Sequence, residues 1–289
     1  MIDLKYFNIN KLRFDIRYKT DANGLMPIAI FLHGFKSFRN WGFIPYICEV
    51  VAENSFISIN LDFELNGIIN ENLVEFDTEL FAENTVSREL QNAIDLISLI
   101  RNGANKELNF FLSEKWNGDI HLLGHSRGGG IAILAANQLN GISKIGLLAP
   151  IGYFDRYTQR LKKQWMDNGF LEFKDLMSKQ MLRMNSSYLI DLENHKDDFN
   201  ILEIAPKLRN KVQIIHGEMD LSVPLKEVNE LYKSFLKNID YNSKTNCNFV
   251  LLQKANHLFN VQHPFESSNS ILEDVCNLLV NFLKSNEEN

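Results

Sequence analysis

No stretch of this 289-residue chain approaches the 18 or so consecutive apolar residues of a membrane-spanning helix, so an integral helical membrane protein is excluded. The first residues, Met1-Ile2-Asp3-Leu4-Lys5, lack the basic segment and long apolar run of a secretory signal or lipid anchor. Cysteine is scarce. Cys48, Cys247 and Cys276 are odd in number and spaced unlike metal or redox motifs, which fits reduced, buried thiols in a cytoplasmic protein. H-E-x-x-H is absent and the histidines form no ligand set with the remote cysteines, so no metal is expected. Neither the P-loop spacing nor G-x-G-x-x-G occurs, which removes the usual phosphate cradles. Basic residues are in deficit: a net charge of -6 and a pI near 5.7 argue against nucleic acid or an anionic membrane as the main partner. Small neutral or modestly charged molecules remain. No internal repeat or low-complexity tract interrupts the chain.

What is present is an ordinary globular composition, 45% hydrophobic and 23% charged, in a chain long enough for one large α/β core or two small domains. The pattern turns on residues 119–135. Ile120-His121-Leu122-Leu123 suits a buried strand; Gly124-His125-Ser126-Arg127-Gly128 follows; then Ile131, Leu134, Ala135 and Leu139 recur at helical spacing. Strand, glycine-flanked serine and helix make a nucleophile elbow, which holds the serine clear of the sheet on a strained turn. Gly124 and Gly128 are required because a Cβ two residues either side of Ser126 would collide where strand and helix converge. The hydroxyl also lies beside the first turn of a helix, whose unpaired N–H groups and positive dipole end favour a developing oxyanion.

Around this stretch the chain alternates. Residues 4–20 show the period-2 pattern of a half-exposed antiparallel strand, with a hairpin at the sheet edge. Ile28 to Leu32 is a continuous apolar run expected of a strand buried on both faces, and it ends in His33-Gly34-Phe35. Residues 43–52 read as a helix and Phe56 to Leu61 as a buried strand. Val86, Leu90, Ala93, Ile97 and Ile100 form one face of a helix stopped by Gly103. After the elbow come a strand from Ile145 to Ala149, a strand from Val212 to His216, a helix from Pro224, a strand from Asn248 to Leu252 and a final amphipathic helix from about Ser267. Right-handed crossovers would give a parallel sheet covered on both sides. Pro224 suits a first helical position. Residues 151–206 break the alternation with clustered aromatics and methionines and read as an inserted helical cap within a single 1–289 domain. Trp165 and Met181 are its candidate substrate contacts, against the alternative that such residues only pack the cap onto the sheet.

A serine hydroxyl needs a base within hydrogen-bond reach, and that base needs a third group to fix its tautomer. Asp220 follows a buried strand and His257 follows the last strand, so both would gather beside Ser126 at the carboxyl edge; His263 competes with His257 for the base. His33, His121, His125, His195 and His216 read as structural. Arg127 is an unusual choice at the positive end of a helix. It should pair with a carboxylate that the sequence does not identify, or, facing the pocket, hold an anionic substrate group.

The alternation, with Ser126, Asp220 and His257 in that order, resembles the α/β-hydrolase fold over nearly the whole chain. His33-Gly34-Phe35 is similar to that fold's oxyanion segment, residues 216–224 to its acid loop, and Ala255-Asn256-His257 to its histidine loop. The resemblance is nearest to serine esterases of the dienelactone hydrolase-like and cinnamoyl (feruloyl) esterase group, although dienelactone hydrolases proper use a cysteine where Ser126 stands. It implies an eight-stranded, mostly parallel sheet with helices on both faces, and a serine hydrolase of small carboxylic esters that needs no cofactor. It also implies Ser126 as nucleophile, His257 as base, Asp220 as its orienting acid, and the backbone N–H groups of Phe35 and Arg127 as the oxyanion hole. A peptidase or amidase on the same fold is the rival within enzymes. A non-catalytic small-ligand receptor is the rival outside them.

Overall fold

A computed structural model describes residues 1–237 and 246–285. Its framework is one eight-stranded sheet whose strands were laid down by the apolar runs described above. In chain order these are β1 (Ile2–Ile9), β2 (Leu12–Lys19), β3 (Met26–Leu32) and, after helix α1 (Ile44–Glu53), β4 (Ile57–Asp62). A short ribbon of β5 (Ile68–Asn70) and β6 (Glu75–Phe76) follows, with helices α2 (Thr78–Ala82), α3 (Val86–Asn102) and α4 (Lys106–Ser113). Then come β7 (Trp116–His125), α5 (Arg127–Gln138) and β8 (Ile142–Leu148). The segment beyond holds α6 (Gln159–Asn168), β9 (Phe170–Lys174), β10 (Met181–Asn185), α7 (Ser187–Asn194) and α8 (Ile201–Ile204). The chain returns through β11 (Lys211–Gly217), α9 (Leu225–Leu236), β12 (Cys247–Leu252) and α10 (Ser270–Lys284).

The sheet order is β1-β2-β4-β3-β7-β8-β11-β12. Strands β4 through β12 pair in parallel, while β2 is antiparallel to both β1 and β4. Ile28 to Leu32 and Ile120 to Leu123 have essentially no exposed surface, as strands buried on both faces require. Helices α1 and α10 pack together on one face, and α3, α5 and α9 lie against the other. Helix α3 ends where expected: Gly103 takes the left-handed conformation at φ 59°. Cys48, Cys247 and Cys276 are buried, and burial pushes each thiol up to about 12, where it is inert at neutral pH.

Four features differ from the sequence reading. Strand β2 is not half-exposed: its polar face is also covered, with Asp15 and Arg17 ion-paired beneath α1 and Arg39 Nε 3.8 Å from Asp15. Burial pushes the Asp15 carboxyl up to about 6, against the pull of both arginines. Pro224 caps α9 rather than starting it, with extended ψ of 144°, because a fixed φ near −60° suits either position. Residues 63–85, to which no element is assigned from sequence, form the β5–β6 ribbon and α2, too short for a period to register. Finally, the segment 151–206 is only partly helical, because β9 and β10 pair as an antiparallel ribbon. Met177, Met181 and Met184 stand four and three residues apart, a spacing that mimics one face of a helix. In the structure Leu182 and Met184 turn inward and Met181 outward, the two-residue alternation of a strand.

Candidate active site

Strand β7 delivers Ser126 to the carboxyl edge, where α5 begins. Ser126 has φ 54° and ψ −119°, a conformation that L-residues rarely adopt. The surroundings hold it there. Its N–H donates to Leu148 O at 2.9 Å, and its carbonyl accepts from Gly129 N at 3.0 Å and Ile151 N at 3.2 Å. A Cβ on Gly124 would come closer than 3.0 Å to the Gly128 backbone, and one on Gly128 would meet the Leu32 and His33 carbonyls equally closely. The two glycines are therefore what let β7, α5 and the end of β3 converge on one point. The Ser126 hydroxyl has no hydrogen-bond partner among the described residues. It faces a cavity of about 190 Å³ that His257 also lines.

The loops after β11 and β12 bring the other two residues. Met219 N donates to Ala255 O at 2.9 Å, and Gly217 lies so close to Ala255 that a Cβ would overlap it, so the two loops are packed as a unit. Asp220 and His257 meet across this seam, with His257 Nδ1 2.7 Å from Asp220 Oδ2. An ionised carboxylate can only accept, so Nδ1 carries the proton and Nε2 presents a lone pair. Burial alone would raise the Asp220 carboxyl. The bond from His257, its partial positive charge, the Val223 N–H and nearby His216 outweigh that and hold the carboxyl below the usual carboxylate value.

His263 is placed elsewhere. Its Nδ1 accepts from Gly42 N at 2.9 Å and its ring stacks on Trp41, so it secures the loop after β3 rather than approaching Ser126. Of the histidines read as structural, His33 accepts from Phe63 N at 3.2 Å and His216 donates to Val223 O at 3.1 Å. His125 goes further: it lines the Ser126 cavity and donates Nε2–H to the carbonyl of His257 at 3.0 Å. Burial, then the neighbouring His257, push His125 down to about 3, so its ring stays neutral beside His257.

The loop after β3 carries Gly34 and Phe35 along the cavity wall, and neither Phe35 N–H nor Arg127 N–H has a hydrogen-bond partner among the described residues. The Phe35 ring is packed against Phe81, Phe173 and the Arg127 guanidinium. Arg127 has its carboxylate in Glu89 of α3, with Nε 2.7 Å from Oε2 and both side chains buried. The Arg127 side chain, engaged by Glu89, does not line the cavity.

The two candidate contacts in the inserted segment are not at the cavity. Trp165 is fully buried inside that segment, stacked on Tyr188 and donating Nε1–H to Met184 O at 2.8 Å, while Met181 is exposed on β10. The part that reaches Ser126 is the tip of the β9–β10 ribbon: Asp175, Leu176 and Met177. Asp175 accepts from Lys36 Nζ at 2.9 Å, which fastens the tip to the residue after Phe35. A charged residue at a ribbon tip beside exposed Leu176 carries no distinguishing sequence signal. A larger cleft of about 750 Å³ opens between α6 and α7, but it contains none of Ser126, Asp220 or His257. Among the described residues no three His, Cys, Asp or Glu side chains gather as metal ligands, and no helix is long and apolar enough to cross a membrane.

Neither a protein-family model nor a curated protein matches the chain. Solved structures do. A putative hydrolase from Agrobacterium vitis S4 is 14% identical, with a TM-score of 0.68 over 98% of this chain and 100% of that one. Est1E from Butyrivibrio proteoclasticus with ferulic acid bound is 16% identical, with a TM-score of 0.64 over 97% and 100%. A putative dienelactone hydrolase from Klebsiella pneumoniae is 14% identical, with a TM-score of 0.60 over 99% and 100%. At these identities the likeness is one of fold.

Proposed function

From a chain with the α/β-hydrolase fold, we propose a serine hydrolase that cleaves carboxylic esters of small molecules through an acyl-enzyme. The observation that carries the reading is the 2.7 Å bond between Asp220 and His257 beside a strained Ser126 whose hydroxyl opens on the same cavity. In this reading His257 Nε2 takes the Ser126 proton as Oγ attacks the ester carbonyl. The oxyanion is received by the Phe35 and Arg127 N–H groups, which have no other partner among the described residues. His257 then gives the proton to the departing alkoxide. Water, deprotonated by the same nitrogen, attacks the acyl carbonyl, and Ser126 leaves with the proton returned. Asp220 stays ionised throughout and steadies the imidazolium.

Neighbours of the same fold are named esterases, and one holds ferulic acid, which supports an ester carbonyl as the reacting group. Apolar Phe35, Trp41 and Met177 line a cavity of about 190 Å³, which suits a short acyl chain or a single ring. A serine nucleophile argues against dienelactone itself. The inserted cap closes the cavity, but through its ribbon tip.

The test is labelling by an active-site fluorophosphonate together with turnover of p-nitrophenyl esters of rising chain length, aryl-acid esters and aminoacyl amides. Ser126→Ala, His257→Ala and the double variant should each lose a similar factor in kcat, on the order of 10⁴ to 10⁶, because the residues act as a unit. A wild-type protein that is neither labelled nor active on any ester would be a binding protein. Faster turnover of amides than esters would make it an amidase.

A further inference from the structure

The side chain of Arg127 has no part in the chemistry above, yet it occupies the most crowded position beside it. Its guanidinium carbon lies 5.2 Å from the centre of the Phe35 ring and 5.0 Å from that of Tyr188 on α7. Phe35 and Tyr188 make no ring contact with each other among the described residues, so the guanidinium is what joins them. Tyr188 in turn stacks on Trp165 of α6, with ring centres 5.7 Å apart and planes within 3°. From the side, Glu89 of α3 anchors the guanidinium through Nε, and Asn84 Nδ2 holds Glu89 at 2.7 Å.

We propose that the Arg127 guanidinium is a positioning group that holds the two oxyanion donors in register and ties that register to the inserted segment. The inference rests on the serine-hydrolase reading. Arg127 N–H is fixed by the first turn of α5, whereas Phe35 N–H sits on a loop. Gly34, at the start of that loop, packs against Ser126 and His125, and the Phe35 side chain adds the ring-to-guanidinium contact with the elbow. The remaining contacts of the Phe35 ring are with Phe81 and Phe173, which belong to α2 and the β9–β10 ribbon. Without the guanidinium the Phe35 ring would be held by those elements alone, and the N–H beside it would be less firmly set against Ser126.

The chemistry explains why the residue is arginine. An ion pair with Glu89 could be made by lysine, but a compact ammonium cannot lie flat on two rings, whereas a planar, weakly hydrated guanidinium can. Nη2 is buried without a hydrogen-bond partner, as expected of a group placed for its faces more than for its donors. Burial works against the charge and Glu89 outweighs it, so the side chain remains a cation at any pH where the protein is folded.

The deciding experiment measures kcat per fluorophosphonate-labelled serine, together with KM and the melting temperature. The variants are Arg127→Lys, Tyr188→Leu and Tyr188→Phe. A positioning role predicts that Arg127→Lys lowers kcat per labelled serine about 10- to 100-fold with KM within about threefold, since a misplaced donor acts on the transition state. Tyr188→Leu should move in the same direction from within the inserted segment, and Tyr188→Phe, which restores the ring, should return to wild type. A purely structural role would lower the melting temperature or the labelled fraction and leave kcat per labelled serine unchanged. That result in both Arg127→Lys and Tyr188→Leu overturns the proposal. If Arg127→Lys does not fold, the Tyr188 pair decides. A wild-type protein that is neither labelled nor active is a different outcome, which removes the hydrolase reading and this inference with it.

Discussion

Asp220 divides its carboxylate. Oδ1 accepts the N–H groups of Ser222 and Val223 at 2.8 Å each, and Oδ2 faces His257 Nδ1. One oxygen closes a turn and the other meets His257, so the two contacts can be varied separately. Asparagine separates them in the laboratory. Asp220→Asn keeps an oxygen for the turn but turns an NH₂ toward Nδ1, which drives the imidazole proton onto Nε2 where a lone pair is needed. The melting temperature should barely change while kcat falls by roughly 10⁴. Asp220→Ala, which loses both contacts, should fall in both. Equal melting losses in the two variants would mean that the amide does not preserve the turn. Because the Asp220 carboxyl lies below the usual carboxylate value, it should not supply the acid limb of the pH–rate profile.

Among the elements, the β9–β10 ribbon is the one through which the inserted segment reaches Ser126. Its tip is held from within, as Asp175 Oδ2 accepts from Met177 N, Ser178 N and Ser178 Oγ, and from outside, as Oδ1 takes Lys36. Asp175→Asn leaves an acceptor for the turn and removes the ion pair. A pair with a partly exposed lysine contributes up to about 1 kcal/mol, so the melting curve should move little. The substrate profile should move more: KM rises for short esters and the preference among chain lengths flattens, and about 0.5 M salt should shift the wild type the same way. An unchanged profile would mean that the tip is closed by Leu176 and Met177 alone.

The same ribbon marks the limit of what sequence reveals. The central parallel strands were legible because burial on both faces leaves largely apolar runs, Ile28 to Leu32 being the clearest. The elbow was legible because glycines at 124 and 128 have a single steric reason. The polar face of β2 was not, since an ion pair under α1 leaves the same letters as a solvated strand. Nor was the ribbon, whose methionines carry two periods at once, or the partner of Arg127, which lies on α3, an element remote in the chain. Local pattern reports the framework. Contacts between distant segments, which shape the cavity, leave no local period.

At the scale of the whole molecule, four buried histidines and the half-buried His263 set the response to acid. Burial lowers His33, His121, His125, His216 and His263, with His121 reaching about 4 and His125 about 3. In the unfolded chain each would take a proton near pH 6.5. As pH falls from about 6.5 toward 4 the unfolded state therefore binds more protons than the native one, and stability falls, by up to about 1.4 kcal/mol per pH unit for each group. Asp15, raised to about 6, and Glu227, also raised, work in the opposite sense, because they take up protons first in the folded state. Five groups against two leave a net loss. The melting temperature should drop between pH 7 and 4.5, and His121→Gln, remote from Ser126, should make the drop shallower. A melting temperature constant over that range would show that these rings are protonated in the fold.

Asp220 and His257 join Ser126 only through β11 and β12, which follow the other described strands of the sheet in the chain and are the outermost on that side. In vectorial synthesis the elbow leaves the ribosome with His257 still unmade, and the core strands β3, β7 and β8 can assemble around Ser126 alone. On the proposed roles, the chain acquires its reactivity in one late step, when the edge strand docks and swings the histidine loop into place. On those roles a growing chain would be harmless to its surroundings until β12 and the loop after it have been made.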